Sequence, residues 1–107
     1  MRDYQAKSGH WLPEHVYRRA LALVRAYPEM AKEAAGEQDK IRDLTLRHEL
    51  AAVERALDAV PEEYRDGIWD NLQDGVPMDR LDYAARSTWS RWRGRFLWYV
   101  ARNMHWI

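Results

Sequence analysis

The chain of 107 residues contains no cysteine, which excludes disulfides, thiolate zinc sites and cysteine nucleophiles together. That absence fits a reducing cytosol. Long apolar runs are also missing. The stretch from Ala20 to Val24 is only five residues, against the ~20 needed to span a bilayer. The N-terminus, with Arg2, Asp3 and Lys7 around Tyr4, lacks the apolar centre of a signal peptide. The sequence therefore reads as neither secreted nor membrane-spanning. No window alternates apolar and polar residues as a half-buried strand would, and no repeat or linker divides the chain.

What is present suits one domain. Apolar residues make up 47% and charged residues 32%, too apolar for disorder and enough for one modest core. The net charge of zero hides an uneven distribution. From Arg86 to Ile107 there are five arginines (Arg86, Arg91, Arg93, Arg95, Arg102) and no acid, so the first 85 residues carry a net −5. Glu49 to Asp82 alone holds ten acids against Arg55, Arg65 and Arg80. A cationic last fifth points to a polyanion, because field strength follows local clustering. The alternative is that these arginines pair with the acidic middle of the same chain.

The prolines punctuate a helical pattern. Pro13 and Glu14 suit a helix start, with the acid near the positive end of the helix dipole. Val16, Tyr17, Ala20, Leu21, Val24 and Tyr27 then form one apolar stripe, which Pro28 is expected to end or kink at Tyr27. Glu29 to Glu37 allows another short helix, broken by Gly36. A second long helix is expected from about Asp39 to Ala59, with Leu46, Leu50, Val53 and Leu57, then Val60, along one face. Pro61, Glu62 and Glu63 restart a helix whose inward side is Tyr64, Ile68, Trp69 and Leu72. Gly75, Val76 and Pro77 form the next break, and Met78 to Ala85 has room for about two helical turns. The expected fold is all-α, a small single-domain helical bundle.

The last segment carries the functional signal. Ser87 or Thr88 is expected to cap a helix running to about Asn103. At 100° per residue, Trp89, Trp92, Phe96, Tyr99 and Val100 share an arc of about 100°. Arg91, Arg95 and Arg102 lie within ~40° of one another on a different side, flanked by Trp98 and Trp106. Ser90, Gly94 and Ala101 form a smooth strip between them, where Gly94 is either a tolerated helix glycine or a sign of close approach by another backbone. A recognition helix needs this division: one face anchored in the domain, the other in the major groove of DNA. Arg86, Ser87, Thr88, Ser90 and Arg91 then sit near the entering end, while Arg95 and Arg102 track phosphates.

The blocks ALDAVPEEYRDGIWDNL (Ala56 to Leu72) and GVPMDRLDYAARSTWSRWRGRFLWYVARNMHWI (Gly75 to Ile107) resemble the C-terminal part of small phage transcriptional regulators of the RinA/ArpU type. Those are in turn similar to the DNA-binding fourth region of bacterial sigma factors. ALALVRAYPEM (Ala20 to Met30) resembles a segment near the start of such proteins. The resemblance implies that the bundle ends in a sigma-region-4-like helix-turn-helix unit over 61–107. It leaves 13–60 for N-terminal helices and 1–12 for an arm, expected to be flexible. It further implies a regulator of late or packaging genes in a phage or prophage, acting on double-stranded DNA in the cytoplasm of a bacterial host. Met78 to Arg86 departs from the pattern, being shorter than the usual supporting helix.

Other residue classes point elsewhere. His10, His15, His48 and His105 form no one-turn pair, so no metal site is expected. Glu49, Glu54, Asp58, Glu62 and Glu63 read as solvated helix surface, and no nucleophile or phosphate-loop motif accompanies them. The expectation is a protein that is not an enzyme and needs no cofactor. The acidic middle, including Asp66, Asp70 and Asp74, is a candidate contact for RNA polymerase or a device that repels DNA everywhere but the last helix. A homodimer is a further candidate assembly. The competing readings are a terminase-like DNA-packaging subunit in an oligomeric ring, and a helical protein–protein adaptor.

Overall fold

The structure, a computed structural model, describes residues 10–36, 40–81 and 84–107. Four α-helices account for most of them: α1 (Glu14–Ala35), α2 (Lys40–Asp58), α3 (Glu62–Asp74) and α4 (Arg86–Asn103). One 3₁₀ turn, Met78–Arg80, lies between α3 and α4, and no strand occurs among the described residues. The chain is all-α, as its periodicity indicated.

Two helices begin in the same way. Pro13 and Pro61 stand at the N-cap positions of α1 and α3, each followed by acids in the first turn. α3 ends at Gly75, whose φ of 70° is left-handed and lets its N–H reach the Asn71 carbonyl at 3.1 Å. Arg65 closes the end of α2 by donating to the carbonyls of Val60 at 2.8 Å and Asp58 at 2.9 Å. After α4, His105 takes φ 61°, and the Trp106 N–H returns to the Ala101 carbonyl at 2.9 Å.

α1 does not end at Pro28 but continues through it to Ala35. Proline removes the N–H that the Val24 carbonyl would accept, and the Gln73 side-chain amide donates to that carbonyl instead, at 2.6 Å. The stretch after Tyr27 is thus the rest of α1 rather than a separate helix. The expected start of α2 at Asp39 lies outside the described residues. Among its described residues, the stretch from Met78 to Ala85 forms a single 3₁₀ turn in place of the about two helical turns expected, and Asp82 and Tyr83 lie outside the described residues.

α1, α2 and α4 pack against one another, and α3 closes on α1 and α4. Ala20, Ala52, Ala56 and Ala101 are fully buried, which lets these helices approach closely around Val24, Val53, Phe96, Leu97 and Val100. Leu12 is also buried, and the His10 ring meets the Trp98 ring edge-on at 4.9 Å, so these two residues pack on the bundle while Trp11 stays exposed. Residues 1–9 of the expected flexible arm lie outside the described residues. α4 is held at its far end by Asn103, which donates to the Ala52 carbonyl at 3.0 Å.

Candidate nucleic-acid interface

The inward face of α4 is turned relative to the expected one. Trp89, Phe96, Leu97, Val100 and Ala101 are its buried residues, whereas Trp92 and Tyr99 are half-buried at the edge. On a wheel these five span about 140°, with Arg93 near the centre of the arc. Arg93 is accommodated there because its guanidinium donates from Nε to Asn71 Oδ1 at 2.9 Å and from Nη1 to the Tyr17 hydroxyl. A cation placed among apolar residues is tolerated when its donors are satisfied in this way. The strip of Ser90, Gly94 and Ala101 is therefore not one surface, since Ala101 is core. Gly94 meets no close backbone: a Cβ built on it has nothing within 4 Å. The close approach is at Gly67 on α3, where a Cβ would lie 2.6 Å from the Trp89 ring.

The rotated face puts Arg91, Arg95 and Arg102 almost diametrically opposite the core. Arg91 and Arg102 are exposed and Arg95 is half-buried. The Arg95 guanidinium lies 4.8 Å from the Trp92 ring centroid and that of Arg102 lies 5.7 Å from the Trp98 ring. These rings hold the cations along the helix without neutralising them. Trp106, expected to flank the row, instead lies under Arg19 of α1 at 4.2 Å. Among the described residues no carboxylate pairs with Arg91, Arg95 or Arg102. Among the described residues, internal pairing of the kind that would explain the arginine cluster is seen at Arg86, 3.6 Å from Asp79, with both side chains exposed.

The remaining expected residues sit at the start of α4. Ser87 and Thr88 do not cap it: Ala85 is the N-cap, with no side-chain hydrogen bond, and the helix begins at Arg86. No acid occupies its first turn, unlike α1 and α3. Thr88 falls on the side of the arginine row. Arg86, Ser87 and Ser90 instead line a groove of about 620 Å³, together with Arg25, Asn71, Asp79 and Arg93. The seven expected residues are thus divided between an outer row and a flanking groove. Arg25 and Arg93 belong to the groove and were not expected. Arg93 was counted among the arginines of the last segment, but its wheel position falls outside the Arg91, Arg95 and Arg102 row.

No family model, no curated protein and no solved structure matches this chain.

Among the described residues no group of three or more histidines or acids is close enough to hold a metal ion. No described helix is long and apolar enough to cross a membrane. One titration is displaced. Burial, with the hydrogen bond to Glu54 at 2.6 Å and the charge of that carboxylate, pushes the Tyr27 hydroxyl up to about 12.

Proposed function

We propose that the chain is a sequence-specific double-stranded-DNA-binding regulator that lays the outer face of α4 in the major groove. The observation that carries this reading is the row Arg91, Arg95 and Arg102, without acid partners among the described residues, on a helix whose opposite side is core. A helix embedded along one side presents its cations at fixed spacing, as groove binding requires. Arg91, nearest the start of the row, is assigned to a guanine edge, and Arg95 and Arg102 to backbone phosphates. Thr88 adds a hydroxyl on the same side, while Arg86, Ser87 and Ser90 approach the backbone from the flank.

The resemblance to RinA/ArpU-type regulators supplies the remainder of the proposal: control of late or packaging genes of a phage or prophage in a bacterial cytoplasm. α3 and α4 are joined by residues 75–85, longer than the three- or four-residue turn of an ordinary helix-turn-helix. In this proposal α4 is positioned chiefly by α1 and α2, with α3 as a lateral brace. The exposed acids Asp66, Asp70 and Asp74 of α3 are the candidate contact for RNA polymerase.

Single substitutions test the assignment. Arg91→Ala should cost about 1–3 kcal/mol of duplex affinity and relax sequence preference. Arg95→Ala and Arg102→Ala should weaken all duplexes alike, each lowering the salt slope by about one. Unchanged affinity in all three variants would remove the proposed face.

A further inference from the structure

Arg25 and Arg93 have no part in the outer row, yet they meet Arg86 at one groove. Its walls are the end of α3, residues 75–79 and the first two turns of α4. At about 620 Å³ it lies within the ordinary range for small-ligand sites. Three guanidinium groups, the hydroxyls of Ser87 and Ser90 and the Asn71 amide surround it, and Asp79 is the one carboxylate among the described lining residues.

Two of these cations are fixed by the fold. Arg25 donates from Nε to the Leu72 carbonyl at 3.1 Å, and Arg93 from Nε to Asn71 Oδ1 at 2.9 Å. Asn71 is itself anchored, donating to the Val76 carbonyl at 2.8 Å. Ordering these side chains is therefore met on folding and does not oppose binding. Arg86 differs. Its pair with Asp79 is 3.6 Å long, with the two side chains 75% and 69% exposed, so it exchanges readily for a better acceptor.

We propose that this groove is a phosphate-binding site, separate from the outer row of α4. A phosphoryl group matches the lining, because planar guanidinium forks and hydroxyls donate to its several oxygens at once. Asp79 is the built-in competitor, holding Arg86 until a more highly charged oxyanion displaces it. The phosphate is carried either by a nucleic-acid backbone or by a small phosphorylated molecule, which offer the groove the same oxyanion.

The test is a titration of the full chain with pyrophosphate at constant ionic strength, followed by NMR at the Ser87 and Ser90 amides. Saturable shifts are expected, with chloride producing none. Asp79→Asn should tighten binding, and Arg86→Gln should weaken it about fivefold or more. Arg25→Gln should act like Arg86→Gln. Because the Arg86 side chain is 75% exposed, its variant remains informative if Arg25→Gln perturbs the α1–α3 packing. Adding a short duplex distinguishes the sources: displacement of pyrophosphate identifies a backbone phosphate, and simultaneous binding identifies a small phosphorylated ligand. Absence of saturable shifts, or a midpoint unmoved by both Asp79→Asn and Arg86→Gln, overturns the proposal. Arg91→Ala should leave pyrophosphate binding unchanged, so the groove stands or falls separately from the duplex-binding row.

Discussion

Gln73 and Val24 are joined by a 2.6 Å hydrogen bond from side-chain amide to main-chain carbonyl, at the point where Pro28 leaves that carbonyl without its helical donor. One residue later on α1, Arg25 donates to the Leu72 carbonyl of α3, so two side chains stitch these helices in opposite directions. A proline inside a 22-residue helix is thus compensated from another element.

Gln73→Ala should destabilise the fold by about 1–2 kcal/mol, since a part-buried carbonyl loses its partner. With Pro28→Ala already present, the backbone N–H of residue 28 can take over, and the effect of Gln73→Ala should shrink. Urea unfolding of the two single variants and the double variant measures the coupling.

The glycines of α3 and α4 should respond in opposite senses. Gly67→Ala places a methyl 2.6 Å from the buried Trp89 ring, and overpacking should destabilise by about 1–3 kcal/mol in spite of better helix propensity. A Trp89→Leu background should relieve that clash. Gly94→Ala enters open space inside a helix and should stabilise by up to about 1 kcal/mol. Urea midpoints of the two variants settle the sign.

Tyr27 ties folding to alkaline pH. Its folded-state pKa of about 12 exceeds the ordinary tyrosine value of 10.0, so the folded chain holds this proton more tightly than the unfolded one. The associated stability is fully present below pH 10 and is lost as pH rises from there through about 12. Tyrosinate absorbance should show Tyr27 titrating late. Glu54→Gln should bring it back toward 10, because the carboxylate both accepts its proton and repels the phenolate.

The helix ends were legible in the sequence because local chemistry determines them. Pro13, Pro61 and Gly75 act within a turn of where they stand, and α1, α2 and α3 begin or end within a residue or two of the positions they mark. Pro28 does not end α1 because its compensation comes from Gln73, 45 positions later and on another helix. The inward face of α4 was read with a tilt for a related reason. Apolar periodicity weighs Trp92 and Tyr99 fully, yet bulky rings suit a half-buried edge, while Leu97 and the small Ala101 fit between close helices. Arg93 lies in that face only because Asn71 and Tyr17 receive its donors, and this depends on tertiary contacts. The outer arginine row was legible as a row. The groove was not, since Arg25 joins Arg86 and Arg93 only after α1 packs on α3.

Duplex binding as a function of salt tests the central claim most directly. Fluorescence anisotropy should compare random duplex with DNA from upstream of the operon proposed as its target, for the parent chain and for the Arg91, Arg95 and Arg102 alanine variants. The account predicts that log affinity falls linearly with log salt by several units of slope. It also predicts that the operon fragment is preferred and that each phosphate-contacting arginine removed lowers the slope by about one. Absence of duplex binding at low salt, or a slope unmoved by all three substitutions, would contradict it.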